Sequence, residues 1–178
     1  GERYRRVHGE VANRNVILLG GTTDDAAFLD VYDTACHLAR AGARSLAVVA
    51  PYFGYSTMER AAQPGEVVTA KTRARALSAI PPAQTGNILF LMDLHTDGIQ
   101  HYFGDGLVSR HLSARGVVCD LIRGLNLDDP VIASTDAGRA KQVVKIANEL
   151  GHEAAFVYKR RVDDALELTG VNADVSGR

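Results

Sequence analysis

The sequence lacks several features that would assign it quickly. It has no tryptophan and only two cysteines, Cys36 and Cys119, which are far apart and form no CxxC pair. This usage favours a reducing, cytoplasmic setting over a disulfide scaffold. No apolar run approaches the roughly 18 residues of a membrane span, and the amino-terminal residues lack the apolar core of a signal peptide. A membrane partner is therefore not expected.

Runs of one charge sign and familiar nucleotide-binding loops are also missing. The 178 residues carry 20 basic and 21 acidic side chains, with a net charge of −1. No Lys/Arg block stands out, so a nucleic-acid partner is not expected. The patterns GxxxxGK[ST] and GxGxxG are both absent, and no serine or cysteine triad is indicated. The length suits one domain, or one domain with part of a second.

The sequence does contain short apolar runs that alternate with helical patterns. Continuous apolar strands separated by helices are typical of βαβ units, in which helices cover both faces of a parallel sheet. We therefore predict an α/β fold, with ligands at the carboxyl ends of the strands. The predicted strands are 15–21, 45–55, 87–93, 116–122, 130–134 and 153–161, and the predicted helices are 26–41, 67–79 and 137–150.

The segment "MDLHTD" follows the third predicted strand. Its residues Asp93, His95 and Asp97 lie two apart, so on an extended chain they share one face and could converge on a divalent cation. Carboxylates suit Mg²⁺, whereas histidine is an unusual ligand for so hard an ion. The alternative is a capped loop with a hydrogen-bonded histidine. The spacing alone leaves both interpretations open.

Three other polar clusters lie at strand ends, and each has two interpretations. Asp136 in "STDAGR" could cap a helix or contact a metal-bound water. The run Lys159–Arg161 could neutralise phosphate charge in phosphoryl transfer, or it could be a solvated surface. The glycines of "GGTTDD" could cradle a phosphate or make a tight strand-to-helix turn.

Five segments in this order and spacing carry a resemblance to a known family. They are "PYFGY", "TAK", "MDLHTDGIQHYF", "STDAGRAK" and "KRR". Together they resemble the ribose-phosphate pyrophosphokinases, also called PRPP synthetases, over nearly the whole chain. The resemblance implies a type I phosphoribosyltransferase-like fold, with a parallel sheet flanked by helices. It also implies that residues 1–125 are the first such domain, lacking its start, and that 126–178 begin the second.

The resemblance implies an activity and a set of site residues. The family transfers the diphosphoryl group of MgATP to ribose 5-phosphate, giving PRPP and AMP. By motif match, His95 and Asp136 would bind the catalytic Mg²⁺ or its waters, with Asp93 as an additional contact. Lys159 and Arg161 would be mobile-loop residues that neutralise the transition state.

The same resemblance implies partners and an incomplete chain. Gly1 and Glu2 match the end of a family segment that contacts ATP, typically across a subunit interface. Family members form dimers that build hexamers, so homo-oligomerisation is expected. The family's PRPP-binding loop should follow "KRR" and is not in the sequence. We therefore expect a fragment truncated at both ends that is inactive by itself.

The sequence departs from the family pattern at several positions. Thr57 and Met58 stand where the family has an arginine and a glutamine that contact ATP, unless Arg60 reaches in from one turn on. Gly104 and Val108 replace two acidic residues. Three interpretations stay open: part of an active synthetase, a catalytically weak subunit that assembles with or regulates active ones, or a nucleotide-binding relative that transfers no diphosphoryl group.

Overall fold

The computed structural model describes residues 2–134, 137–162 and 165–177. They form two compact units, Gly1–Ser113 and Ala114–Arg178. The sequence prediction put a boundary at 125/126, whereas these units divide between Ser113 and Ala114. The assignment of the units as two phosphoribosyltransferase-like domains stays a prediction.

The first unit is built on a parallel four-stranded sheet in the order β1-β2-β3-β4. This confirms the predicted α/β fold. The fourth strand was not predicted from the sequence. The elements are β1 (Asn15–Leu19), α1 (Asp25–Arg40), β2 (Ser45–Ala50), α2 (Thr69–Ser78), β3 (Asn87–Met92), a 3₁₀ helix (Asp97–Tyr102) and β4 (Leu107–Leu112).

The core of this unit lies on one face of the sheet. Side chains alternate along each strand, and the inward set packs with α1 and α2 in a single apolar cluster. On the opposite face Ile17 is 74% exposed and Leu19 is 68% exposed. The sequence predicts helices on both faces, but the described helices of this unit pack on one. The inward core includes Leu46, Val48, Leu89 and Leu91 from the strands, Phe28, Val31 and Ala35 from α1, and Ala74 and Leu77 from α2.

Helix α1 begins at a carboxylate cap. The backbone N–H of Ala27 donates to Asp24 Oδ1 at 2.9 Å. This hydrogen bond satisfies one of the backbone N–H groups that have no partner within the helix at its start. This hydrogen bond stabilises the charged carboxylate and lowers the pKa of Asp24 below its ordinary value. Since the folded-state pKa is the lower one, the cap stabilises the fold above about pH 4, and the contribution is lost as pH falls through the folded-state pKa.

Replacing Asp24 should therefore change the acid dependence of stability. We expect Asp24→Ala to lower the melting temperature at pH 7 by a few degrees, because the cap is lost. Asp24→Asn is the matched control: asparagine also caps helices but does not titrate, so its melting temperature should fall less steeply between pH 5 and pH 3 (roughly the window of carboxylate titration). Thermal unfolding followed by circular dichroism measures both. Two variants that melt like the wild type at every pH would exclude a stabilising cap.

The second unit contains a mixed three-stranded sheet in the order β5-β6-β7. Strands β5 and β6 are parallel, and β6 and β7 form an antiparallel pair. Strand β7 was not predicted from the sequence. The elements are α3 (Arg115–Gly124), β5 (Val131–Ser134), a 3₁₀ helix (Ala137–Arg139), α4 (Ala140–Leu150), β6 (Glu153–Val162) and β7 (Ala165–Val171).

The predicted strand at 116–122 is wrong, because this segment is helix α3. Arg115 Nε lies 3.0 Å from Glu149 Oε2 on α4, so the helix packs with the second unit. Cys119 is the buried position of α3, and its burial raises the pKa of the thiol. The period of a short apolar run does not by itself distinguish a strand from a helix.

Among the described residues, none of the helices combines the length and the apolar character needed to cross a membrane.

Candidate functional site

A cleft of about 600 Å³ lies in the first unit, at the carboxyl ends of β2 and β3. This is the edge at which the sequence predicts ligand binding. The loop after β2 forms most of the cleft, and His95 from the loop after β3 completes it. The lining residues are Thr57, Met58, Glu59, Arg60, Ala62, Glu66, Val67, Thr69 and His95.

The first part of the β2 exit loop is tied to the β1 exit loop by one buried threonine. Thr22 N–H donates to Tyr52 O at 2.9 Å, and Gly54 N–H donates to Thr22 Oγ1 at 3.0 Å. A Cβ at Gly54 would lie 2.0 Å from Thr22 O, so only glycine fits here. The "GGTTDD" segment therefore makes a tight strand-to-helix connection: its threonine ties two loops, and Asp24 caps α1.

The next part of the same loop is held by a stacked arginine. Arg73 of α2 lies over the Phe28 ring at 4.6 Å and over the Tyr55 ring at 5.4 Å, and it forms an ion pair with Asp25. Tyr55 has a left-handed backbone with φ of 60°, and its hydroxyl donates to Asp25 Oδ1 at 2.7 Å. That hydrogen bond is the main reason why the pKa of Tyr55 is raised. Together these contacts hold the part of the loop that leads to Thr57 and Met58.

The far wall of the cleft is organised by two further contacts. Glu66 Oε2 accepts from the backbone N–H groups of Ala62 and Gln63 at 2.6 and 3.0 Å. Tyr102 Oη donates to the backbone oxygen of Glu59 at 2.6 Å. The Arg60 side chain is 82% exposed, and its Nε lies 3.7 Å from Glu59 Oε1. The Arg60 guanidinium is therefore open to solvent, which weakens its interaction with Glu59. A ligand in the cleft can reach it.

The loop after β3 does not have the geometry that the sequence predicts. The strand ends at Met92, and Asp93 has a left-handed backbone with φ of 42°, so Asp93, His95 and Asp97 do not alternate along one strand. Asp97 instead contacts His111 of β4, with Oδ1 2.7 Å from Nδ1. Within the described residues, no three His, Cys, Asp or Glu side chains are grouped as a metal site would need. The extended geometry in which these three residues would share one face is therefore absent, and the metal contacts assigned to Asp93 and His95 stay predictions.

The structure places some of the other predicted site residues and leaves others out. Gly1 and Asp136 lie outside the described residues, as do the side chains of Lys159 and Arg161. The backbone of Lys159 and Arg161 belongs to β6 and pairs with Leu168 and Leu166 of β7. Glu2 is exposed and lies in no helix or strand. The roles assigned to these residues stay predictions.

Sequence reasoning missed the residues that hold the cleft in shape. Asp25 and Arg73 look like ordinary surface charges on two helices, and no local pattern indicates that they meet at Tyr55. His111 lies on β4, whose inward positions are Leu107, Ser109 and His111. This mixed set gives no apolar alternation, so the strand and its histidine had no detectable signal.

Comparisons with known proteins agree with the resemblance. The family described as the N-terminal domain of ribose phosphate pyrophosphokinase matches residues 1–80. A ribose-phosphate pyrophosphokinase from Methanosarcina acetivorans is 29% identical over the whole chain and 59% of its own length. One from Parasynechococcus marenigrum is 33% identical over the whole chain and 53% of its own length.

The chain is a relative of the ribose-phosphate pyrophosphokinases.

The likeness extends to the fold. A phosphoribosylpyrophosphate synthetase from Mycobacterium smegmatis superposes with a TM-score of 0.68, at 24% identity, over 93% of this chain and 54% of that structure. The chain thus spans little more than half the length of the ribose-phosphate pyrophosphokinases that it matches. The cleft described above lies in a part of the chain that these alignments cover.

Proposed function

We propose that the protein is a ribose-phosphate diphosphokinase, which transfers the diphosphoryl group of MgATP to ribose 5-phosphate and releases AMP. The observation that carries the proposal is the cleft itself. It brings His95 of the "MDLH" motif together with the loop after "PYFGY", and both motifs are among those that resemble the family. The proposal includes a cytoplasmic location and a homo-oligomer, in line with the family.

Nucleotide binding in this cleft needs a source of positive charge. The family's arginine and glutamine are replaced by Thr57 and Met58, both of which line the cleft. Arg60 lines the same cleft, and its exposed side chain carries the one guanidinium among the lining residues. We infer that Arg60 takes over the phosphate or adenine contact, since a guanidinium can do either.

The residues present fit a magnesium ion held jointly with a nucleotide. Mg²⁺ is commonly bound through one or two carboxylates, with waters and substrate phosphates completing its six positions. Asp93 offers a carboxylate in the same loop as His95, and His95 and Asp136 would contact the ion or its waters. Bound Mg²⁺ would neutralise phosphate charge. In the proposed reaction Lys159 and Arg161 hold the moving diphosphoryl group, while Glu2 and Gly1 contact the nucleotide.

Removing the cleft arginine tests where the nucleotide binds. We expect Arg60→Ala in the full-length protein to weaken MgATP binding several-fold, because a charge-assisted contact is lost. Arg75→Ala is the matched control, since Arg75 is exposed on the neighbouring α2 and does not line the cleft. Isothermal titration calorimetry measures both. Equal affinity of Arg60→Ala and the wild type would place the nucleotide elsewhere.

Restoring the family residues should have the opposite effect. We expect the double variant Thr57→Arg, Met58→Gln to bind ATP at least about tenfold more tightly, as one hydrogen bond to a charged group contributes about 1.5–3 kcal/mol. Thr72→Arg is the control for added charge, because Thr72 is exposed on α2 outside the cleft. A double variant that binds no better than Thr72→Arg would argue against ATP contact at positions 57 and 58.

A further inference from the structure

One imidazole contacts the loop after β3 on both sides of His95. The backbone N–H of Leu94 donates to His111 Nε2 at 3.0 Å. The other ring nitrogen, Nδ1, lies 2.7 Å from Asp97 Oδ1. Leu94 precedes His95, and Asp97 follows it by two residues. His111 therefore contacts the loop segment 93–97 on both sides of the residue that lines the cleft.

The two contacts determine which nitrogen of His111 carries the proton. An amide N–H can only donate, so Nε2 must present its lone pair to Leu94. The neutral ring then carries its proton on Nδ1, which donates to the Asp97 carboxylate. His111 thus accepts a hydrogen bond on one side and donates one on the other.

The backbone around His111 is held by strand pairing and by buried neighbours. Its strand β4 pairs with β3, with His111 opposite Leu91, and Leu91 is fully buried. Leu94 is 5% exposed and Ile99, in the 3₁₀ helix that begins at Asp97, is fully buried. The His111 side chain is 23% exposed and that of Asp97 is 84% exposed, so water competes less for the contact with the buried Leu94 than for the contact with Asp97. By contrast, His95 itself is exposed and lines the cleft.

We propose that His111 is a positioning residue that holds loop segment 93–97 so that His95 faces the nucleotide cleft. The proposal rests on the proposed function, because it treats His95 as a contact of the bound cation. His111 touches neither the nucleotide nor the cation in this account. It acts through Leu94 and Asp97, and its loss changes where His95 lies rather than which groups are present.

Three substitutions at position 111 separate the two hydrogen bonds. His111→Gln keeps an acceptor near the place of Nε2, so the Leu94 amide should stay protected from hydrogen exchange. His111→Asn keeps only a donor near the place of Nδ1, and His111→Ala keeps neither, so in both the Leu94 amide should exchange faster by at least about tenfold. Amide exchange by NMR in the full-length protein, without any ligand, measures this directly.

The effect on His95 is measured with a paramagnetic ion. Mn²⁺ replaces Mg²⁺ with saturating ATP, and broadening of the His95 ring signal reports the distance between the ring and the metal. We expect strong broadening in the wild type, clear broadening in His111→Gln and much weaker broadening in His111→Ala. A loss of global stability alone does not change the broadening of the folded, saturated protein, so this readout separates positioning from a purely structural role.

Two results would overturn the proposal in distinguishable ways. Equal broadening of His95 in the wild type and in His111→Ala would show that His111 does not position it, even if nucleotide binds. A wild type whose Leu94 amide is protected but whose His95 signal is not broadened would instead contradict the proposed role of His95, and with it the proposed function of the cleft.

Discussion

Replacing Lys159 by alanine in the full-length protein should abolish formation of PRPP while leaving the fold intact. In the proposed reaction the ammonium group neutralises charge on the diphosphoryl group as it moves between two oxygens. Fixed positive groups of this kind commonly contribute factors of about 10³ or more to phosphoryl transfer. We therefore expect the turnover rate to fall by at least about a thousandfold, as measured by AMP release.

The control for Lys159→Ala is a lysine in the same unit. Lys145 is exposed on α4, and Lys145→Ala should keep wild-type turnover. Circular dichroism and thermal melts should show that both variants are folded, because Lys145 is exposed and the change at Lys159 keeps the backbone that pairs with β7. Retention of most activity in Lys159→Ala would mean that the basic end of β6 has no catalytic role and is a solvated surface.

Replacing His95 by alanine should remove the magnesium dependence of ATP binding. With Mg²⁺ present we expect the affinity to fall by at least about tenfold, which is the lower end of what changes around metal ligands cost. With a chelator in place of Mg²⁺, the variant and the wild type should bind ATP equally weakly, since the lost group then contributes nothing. Calorimetric titrations under the two conditions measure the difference.

A second histidine supplies the matched control. His101 is exposed on the 3₁₀ helix that follows the same loop, and it does not line the cleft. His101→Ala should keep the full magnesium dependence. Equal affinity of His95→Ala and the wild type in Mg²⁺ would contradict a cation site at the "MDLH" motif and would leave the cleft without a metal contact.

The part of the fold that sequence reasoning predicted is the part in which burial dominates. Strands β1, β2 and β3 are apolar runs long enough to be recognised, and each ends where a polar loop begins. Strand β4 was not predicted because two polar residues, Ser109 and His111, occupy its inward face. Helix α3 was mistaken for a strand because its apolar residues are consecutive, and its contacts with α4, through Arg115 and Arg123 to Glu149, join residues that are far apart in the sequence.

The candidate site was predicted in the same uneven way. His95 was found in a motif that follows a strand, and Thr57, Met58 and Arg60 were found by comparison with the family pattern; the structure brings all four to one cleft. The contacts that hold them are tertiary: Tyr55 on Asp25, and His111 between Leu94 and Asp97. Such contacts join residues from separate elements, so no spacing along the chain indicates them.

The most direct test of the central claim is phosphorus NMR of the full-length protein with ATP, Mg²⁺ and ribose 5-phosphate. The proposed function predicts that the ATP signals decay while AMP and the diphosphate signals of PRPP appear together. Unchanged ATP signals from a folded protein that nevertheless binds nucleotide would contradict it, and would favour a regulatory or scaffold subunit that binds nucleotide without turnover.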